Sequence, residues 1–181
     1  MKTLALLRHG KSNWDDTSLR DFDRPLNQRG RMASELMGAE MKRRGLVFDA
    51  VLASPAERVR ETLVHVASGY GQVLRPRFVP EIYEASCAIL CTILRSVGND
   101  VGHVLMVGHN PGLQQLACLL VKDDALIRSV EMAFPTAALA HLELPDVGWD
   151  KLAAGVGHLA AFVAPQTLSP VAVESRAGEN L

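Results

Sequence analysis

Three short apolar runs constrain this chain more than any other feature. They are "TLALLRHG" (residues 3 to 10), "FDAVLAS" (48 to 54) and "HVLMVGHN" (103 to 110). Each is apolar at nearly every position, so neither face of the segment can meet water. A strand covered on one face would alternate instead. Helical patterns separate the runs. Asn27 supplies an N-cap, and Ala33, Leu36, Met37 and Met41 follow at helical spacing. Arg31 and Glu35 stand four apart as an ion pair. Lys42, Arg43 and Arg44 suit the negative end of the helix as a solvated end, and Gly45 stops it. "PAERVRETLVHVASGYG" opens on proline and closes on glycine, residues 86 to 97 read as a helix, and "PGLQQLACLLV" as another with proline at its start. "VLRPRFVP" reads as a strand near an edge because of Pro76. "TAALAHLEL" and "HLAAFVA" read as two last strands. Strands alternating with helices predict a three-layer α/β/α domain with a mostly parallel sheet. That domain is expected over residues 1–164, with a polar, loosely held tail over 165–181.

Ligands of such sheets bind at the carboxyl ends of the strands. Arg8 and His9 end the first run, Ser54 the second and His109 the last. If these strands are neighbours, Arg8, His9, Arg58 and His109 gather at one rim. Arginine forks fit phosphate oxygens bidentately. Histidines can act as nucleophile and as charge stabiliser. Arg58 opens one helix and His109 precedes another, where backbone donors favour an anion. The site so predicted takes a phosphoryl group with no metal and no cofactor, because arginines can position and neutralise it.

Composition narrows the partners. The net charge of −1 leaves no basic footprint for nucleic acid or anionic membrane. Three cysteines, Cys87, Cys91 and Cys118, are too few and odd in number for a disulfide framework. The first apolar stretch ends at Arg8, too soon for a signal peptide, and no run spans a membrane. These features predict a cytoplasmic monomer. The remaining histidines, His65, His103, His141 and His158, have no motif around them and read as structural.

"RHGKSNW", "DRPLNQRG", "SPAERVRET", "YEAS" and "VGHNPG", in this order over roughly residues 3 to 120, resemble the histidine phosphatase superfamily, and within it the SixA-type phosphohistidine phosphatases. The resemblance implies a phosphoglycerate mutase-like fold and a hydrolase working through a covalent phosphohistidine. It makes His9 the nucleophile, Arg8 and Arg58 the phosphoryl clamp, and His109 the stabilising partner across from it. An acid for the leaving group falls in "EIYE", at Glu84 or alternatively Glu81. Arg24 and Asn110 are implied as further substrate contacts. Gly10, lacking a side chain, would let the chain turn away closely beneath the phosphate. The substrate implied is a phosphorylated protein, such as a histidine-phosphotransfer domain, or a small phosphoester. A phosphoglycerate mutase is the rival enzyme, and an inactive phosphate-binding module ranks below both. Arg58 and His109 lie 51 positions apart, which leaves little chain for a mutase's lid.

Overall fold

The computed structural model describes residues 1–122 and 126–168. Six strands form one sheet: β1 (Lys2–Arg8), β2 (Ala50–Ala53), β3 (Pro76–Phe78), β4 (His103–Gly108), β5 (Leu139–Leu144) and β6 (His158–Val163), in the spatial order β3-β2-β4-β1-β5-β6. The first four pair in parallel, and β5 runs antiparallel to both β1 and β6. The sheet is therefore mixed, with its antiparallel part confined to the end built from the last third of the chain. The proline-bearing strand β3 sits at the opposite edge, as expected.

Helices α1 (Gln28–Arg43) and α2 (Glu57–Tyr70) cover one face. There Met37, Met41, Val59, Leu63 and Val66 meet Ala5, Leu7, Val51, Leu105 and Val107. Helices α3 (Cys87–Arg95), α4 (Gly112–Leu120) and α5 (Ile127–Met132) cover the other. There Leu90, Leu94, Leu113 and Leu116 meet Leu4, Leu6, Leu52, Val104 and Met106. Alternate residues of each central strand thus enter opposite cores, which is why the middle of each run carries no polar residue. Helix α5 has no counterpart in the expectations above. Its six residues, IRSVEM, are too short to show a helical period.

Local details follow the capping chemistry. The Asn27 side chain accepts from the Gly30 N–H, Gly45 takes φ 66° after α1, and Gly71 takes φ 73° after α2. The expected Arg31–Glu35 pair is replaced. Arg31 lies 3.6 Å from Glu61 on α2, and Glu35 accepts from the Ser68 hydroxyl, because both side chains face the neighbouring helix. The basic end of α1 is also not simply solvated. Arg43 and Arg44 both donate to Glu40, a carboxylate only 6% exposed, which their charges keep ionised. Past β6, Pro165–Thr167 form a 3-10 turn and Leu168 packs on the α1/α2 side of the core. The rest of the expected tail, 169–181, lies outside the described residues. No helix among the described residues is long and apolar enough to cross a membrane.

The loop after β1 is pressed against α1. A Cβ on Gly10 would stand 2.7 Å from the Gly30 carbonyl oxygen, and one on Gly30 would stand 2.2 Å from the Lys11 oxygen. The glycine at position 10 is thus required by backbone-to-backbone contact with a helix. Replacing Gly30 by alanine forces that contact apart. The expected cost is about 1–3 kcal/mol, read as a lower urea midpoint with an unchanged slope.

Candidate active site

Strands β2, β4 and β1 are adjacent and end in step. One residue past each end stand Ser54, His109 and His9. The ladder extends by one bond to hold them. The Ser54 N–H donates to the Val107 oxygen at 3.0 Å, and the His9 N–H to the Gly108 oxygen at 3.1 Å. From the other side the Ala137 N–H reaches the carbonyls of Arg8 and His9 at 3.1 and 2.9 Å. The Gly10 N–H donates to Thr62 Oγ1 at 2.9 Å, and that hydroxyl donates to the Arg58 carbonyl at 2.6 Å. The backbone of His9 is therefore tied to β4, to the turn before β5 and to α2.

His9 is 7% exposed, and its Nδ1 lies 2.7 Å from the Gly10 carbonyl oxygen. A carbonyl only accepts, so Nδ1 carries the ring proton and Nε2 keeps its lone pair. Burial, and behind it the charges of Arg58 and Arg8, lower the His9 pKa to about 4 against the opposing pull of the Gly10 bond. His109 packs beside it, with ring centroids 5.1 Å apart and planes at 54°. Its Nδ1 accepts from Arg58 Nη2 at 3.2 Å, since a guanidinium only donates. Its Nε2–H therefore donates to Ser54 Oγ at 2.8 Å. Burial first, then His9 and Arg58, lower the His109 pKa to about 3. Both rings are neutral at neutral pH.

Two guanidiniums close on the pair. Arg58, buried in the first turn of α2, donates from Nη1 to the Asp21 carbonyl at 2.7 Å. From Nη2 it donates to Asp21 Oδ2 at 3.0 Å, and Glu84 Oε1 lies 3.8 Å away. Arg8 donates from Nη1 to the Phe134 carbonyl at 2.8 Å, while its Nε is buried without a partner. Burial and the nearby Arg58 lower the Arg8 pKa, a sign that like charges converge here. Asn110 donates to the same Phe134 carbonyl at 3.1 Å, and its Oδ1 is likewise buried and unpartnered. Arg24 is 9% exposed, stacks 4.2 Å from the Trp14 ring and donates to the Asp16 carbonyl at 3.2 Å, leaving a buried, unpartnered Nε. Among the described residues, the three buried side-chain polar atoms without partners all belong to residues singled out from the sequence. Unsatisfied buried donors and acceptors are costly, and they gather where a ligand supplies the missing bonds.

The structure separates the two acid candidates. Glu84 stands at φ 49° beside Arg58, with its side chain 61% exposed. Glu81 instead lines a groove with Val79, Ile89 and Thr92 on the flank of α3. Sequence reasoning missed Asp21 and Tyr83. The Tyr83 hydroxyl donates to Asp21 Oδ2 at 2.7 Å, and its ring stands edge-on to His109 at 5.4 Å. Asp21 lies just before the quoted "DRPLNQRG" and Tyr83 opens the quoted "YEAS", yet no spacing rule joins loops 62 residues apart. Among the described residues, no three His, Cys, Asp or Glu side chains gather as metal ligands would.

Residues 4–90 match the model of the histidine phosphatase superfamily, branch 1. An uncharacterized protein of Mycobacterium tuberculosis is 32% identical over 164 residues, 88% of this chain and all of the relative. The SixA of Agrobacterium tumefaciens superposes with a TM-score of 0.77 at 27% identity, covering 91% of this chain and 98% of that one. This chain belongs to the histidine phosphatase superfamily. A protein histidine phosphatase SixA solved with tungstate shares the fold, with a TM-score of 0.75 at 24% identity over 91% and 98% of the two chains. A 2,3-bisphosphoglycerate-dependent phosphoglycerate mutase of Mesorhizobium japonicum is 36% identical over 75 residues, only 35% of its length. The superfamily fold thus extends well past the matched segment, through β6.

The two depressed histidines set a pH dependence of stability. Their folded pKa values, about 4 and about 3, lie below the ~6.5 of an unfolded histidine. The unfolded chain therefore binds more protons as pH falls below ~6.5, and stability is lost in that direction. Each ring contributes a slope of up to ~1.4 kcal/mol per pH unit. Urea midpoints should fall between pH 7 and pH 5, and the fall should be shallower in His9→Ala.

Proposed function

We propose that this phosphatase hydrolyses protein phosphohistidine through a phosphoryl group carried on His9. The observation that carries the reading is the His9 tautomer: a buried neutral imidazole whose proton is held by Gly10, with Nε2 left as the nucleophile. In the first step the His9 Nε2–phosphorus bond forms as the substrate's phosphorus–nitrogen bond breaks, and that bond's electron pair leaves with the substrate imidazole. In the second, water adds to phosphorus, the pair of the Nε2–phosphorus bond returns to the ring, and inorganic phosphate departs. Rigid placement of such a nucleophile is worth several kcal/mol of barrier.

Arg8 and Arg58 supply the fork-shaped donors for the equatorial oxygens, with Arg24 and Asn110 as further contacts and His109 across from the nucleophile. The tetrahedral oxyanion tungstate, present in the structure of a SixA of the same fold, has the shape this clamp would take. Glu84 is the group within reach of Arg58 that would protonate an oxygen leaving group. Imidazole depends less on such an acid than an alkoxide does, which favours phosphohistidine over a phosphomonoester. A mutase reading draws on the similarity to phosphoglycerate mutases. Against it, the chain from α2 to β4 is taken up by β3, a 3-10 turn and α3, leaving no insertion to shield a phosphoenzyme from water. We place the reaction in the cytoplasm, where the three free thiols would persist, with the protein acting as a monomer on a phosphorylated protein partner.

His9→Ala should lower turnover at least ~10³-fold, by analogy with other nucleophile deletions. Quenched single turnovers with labelled substrate should trap acid-labile, alkali-stable label on the wild type and none on the variant. Near-normal turnover by the variant would place the nucleophile elsewhere. Activity should also survive EDTA, and a loss restored by magnesium would refute the arginine clamp.

A further inference from the structure

We propose that Asp21 selects substrates whose leaving atom is a ring nitrogen, by accepting the remote N–H of the departing imidazole. The inference rests on the phosphohistidine reading and adds the group that would enforce it. Transfer between two imidazoles is symmetric. Each ring must keep a proton on the nitrogen remote from phosphorus, so that it leaves as neutral imidazole. On the His9 side that proton is held by the Gly10 carbonyl. The leaving ring needs an equivalent acceptor, fixed in place and unprotonated.

Asp21 meets each requirement. Its main chain is anchored by Arg58 Nη1, and its Oδ2 takes both the Arg58 Nη2 and Tyr83 hydroxyl donors. Among the described residues Oδ1 receives no hydrogen bond, and the side chain is 42% exposed, so it borders the mouth of the site. Arg58 Nη2 touches both Asp21 Oδ2 and His109 Nδ1, which sets the carboxylate one guanidinium away from the histidine pair. Partial burial works to raise the Asp21 pKa, but the Tyr83 hydrogen bond and the Arg58 and Arg24 charges outweigh it and hold the carboxyl below its usual value. The charged and titratable groups facing it are therefore Arg58 from α2, Tyr83 and Glu84 from the loop before α3, Arg24 from its own loop, and the neutral His9 and His109. Glu84 is a weaker candidate, since its side chain is more exposed and makes only a 3.8 Å approach to Arg58.

The chemistry balances without a proton donor. As the His9 Nε2–phosphorus bond forms, the pair of the breaking phosphorus–nitrogen bond goes to the leaving ring. The substrate ring enters as the N-protonated phosphoimidazolium, so it leaves as neutral imidazole with its N–H on Asp21, and His9 becomes the phosphoimidazolium with its N–H on Gly10. An ionised carboxylate offers nothing to an alkoxide leaving group, and its charge opposes a dianionic ester. One residue thus favours the phosphoramidate and disfavours the ester.

Asp21→Asn is the discriminating variant. Arg58 and Tyr83 both donate to the Oδ2 position and would draw the amide oxygen there. The amide NH₂ would then face the leaving ring, donor against donor. Wild type and variant are compared on N-phosphohistidine and on p-nitrophenyl phosphate. The ratio of kcat/KM, phosphohistidine over ester, should fall at least ~10-fold in the variant, the loss of a charge-assisted hydrogen bond. Equal losses on both substrates would mean that Asp21 only holds Arg58, and an unchanged ratio without losses would mean that it does neither; each overturns the proposal while leaving the phosphohistidine reading intact. A wild type that cleaves the ester but not phosphohistidine would overturn that reading and this proposal with it.

Discussion

The parallel pairing of β2, β4 and β1 is the constraint on which the site depends. Because the three strands are neighbours and stop at the same height, the residue after each falls into one small region. Ser54, His109 and His9 are those residues, and hydrogen bonds between strands hold their backbones as firmly as the sheet itself. The helices then contribute what the strands cannot. The first turn of α2 brings Arg58, and the start of α4 follows directly on His109. The buried strands of the core and the rigidity of His9 are thus one property of the chain, seen at two levels.

Electrostatics divides the work within that region. Two guanidiniums supply permanent positive charge, and burial keeps both imidazoles uncharged beside them. Had the rings been protonated, neither could present a lone pair and the cluster would carry four like charges. Backbone and side-chain acceptors decide which nitrogen of each ring holds its proton: Gly10 for His9, and Ser54, with Arg58 on the opposite nitrogen, for His109. The carboxylate of Asp21 offsets part of the positive charge, leaving the pocket suited to an anion without making it unstable when empty of one.

Much of this was legible in the residues. Continuous apolar runs marked the central strands, Pro76 marked the edge, and the cluster of Arg8, His9, Arg58 and His109 followed from strand ends and the helix start after the second run. What stayed hidden was set by tertiary neighbours. Arg31 and Glu35 have the right spacing for each other, yet both turn to α2, because a packed helix offers partners that an isolated one lacks. The direction of β5 could not be read, since two-sided burial looks the same in parallel and antiparallel strands. Asp21 resembles any aspartate of a polar loop until Arg58 and Tyr83 are folded against it. The neighbour that requires a glycine at position 10 is Gly30, twenty residues away, and only the docked helix reveals the contact.

The place of β1 in the sheet has a consequence for how the protein is made. This strand is made before the other five, yet its two partners are β4 and β5, and the Ala137 N–H that grips Arg8 and His9 follows more than a hundred residues later. The Phe134 carbonyl that holds Arg8 and Asn110 is equally late. A growing chain therefore carries His9 without the groups that orient it until β5 has been made, at ~5–20 residues per second. Phosphatase activity therefore arrives only once β5 is in place, and fragments that keep every recognisable motif but stop short of β5 would lack the bonds that orient His9.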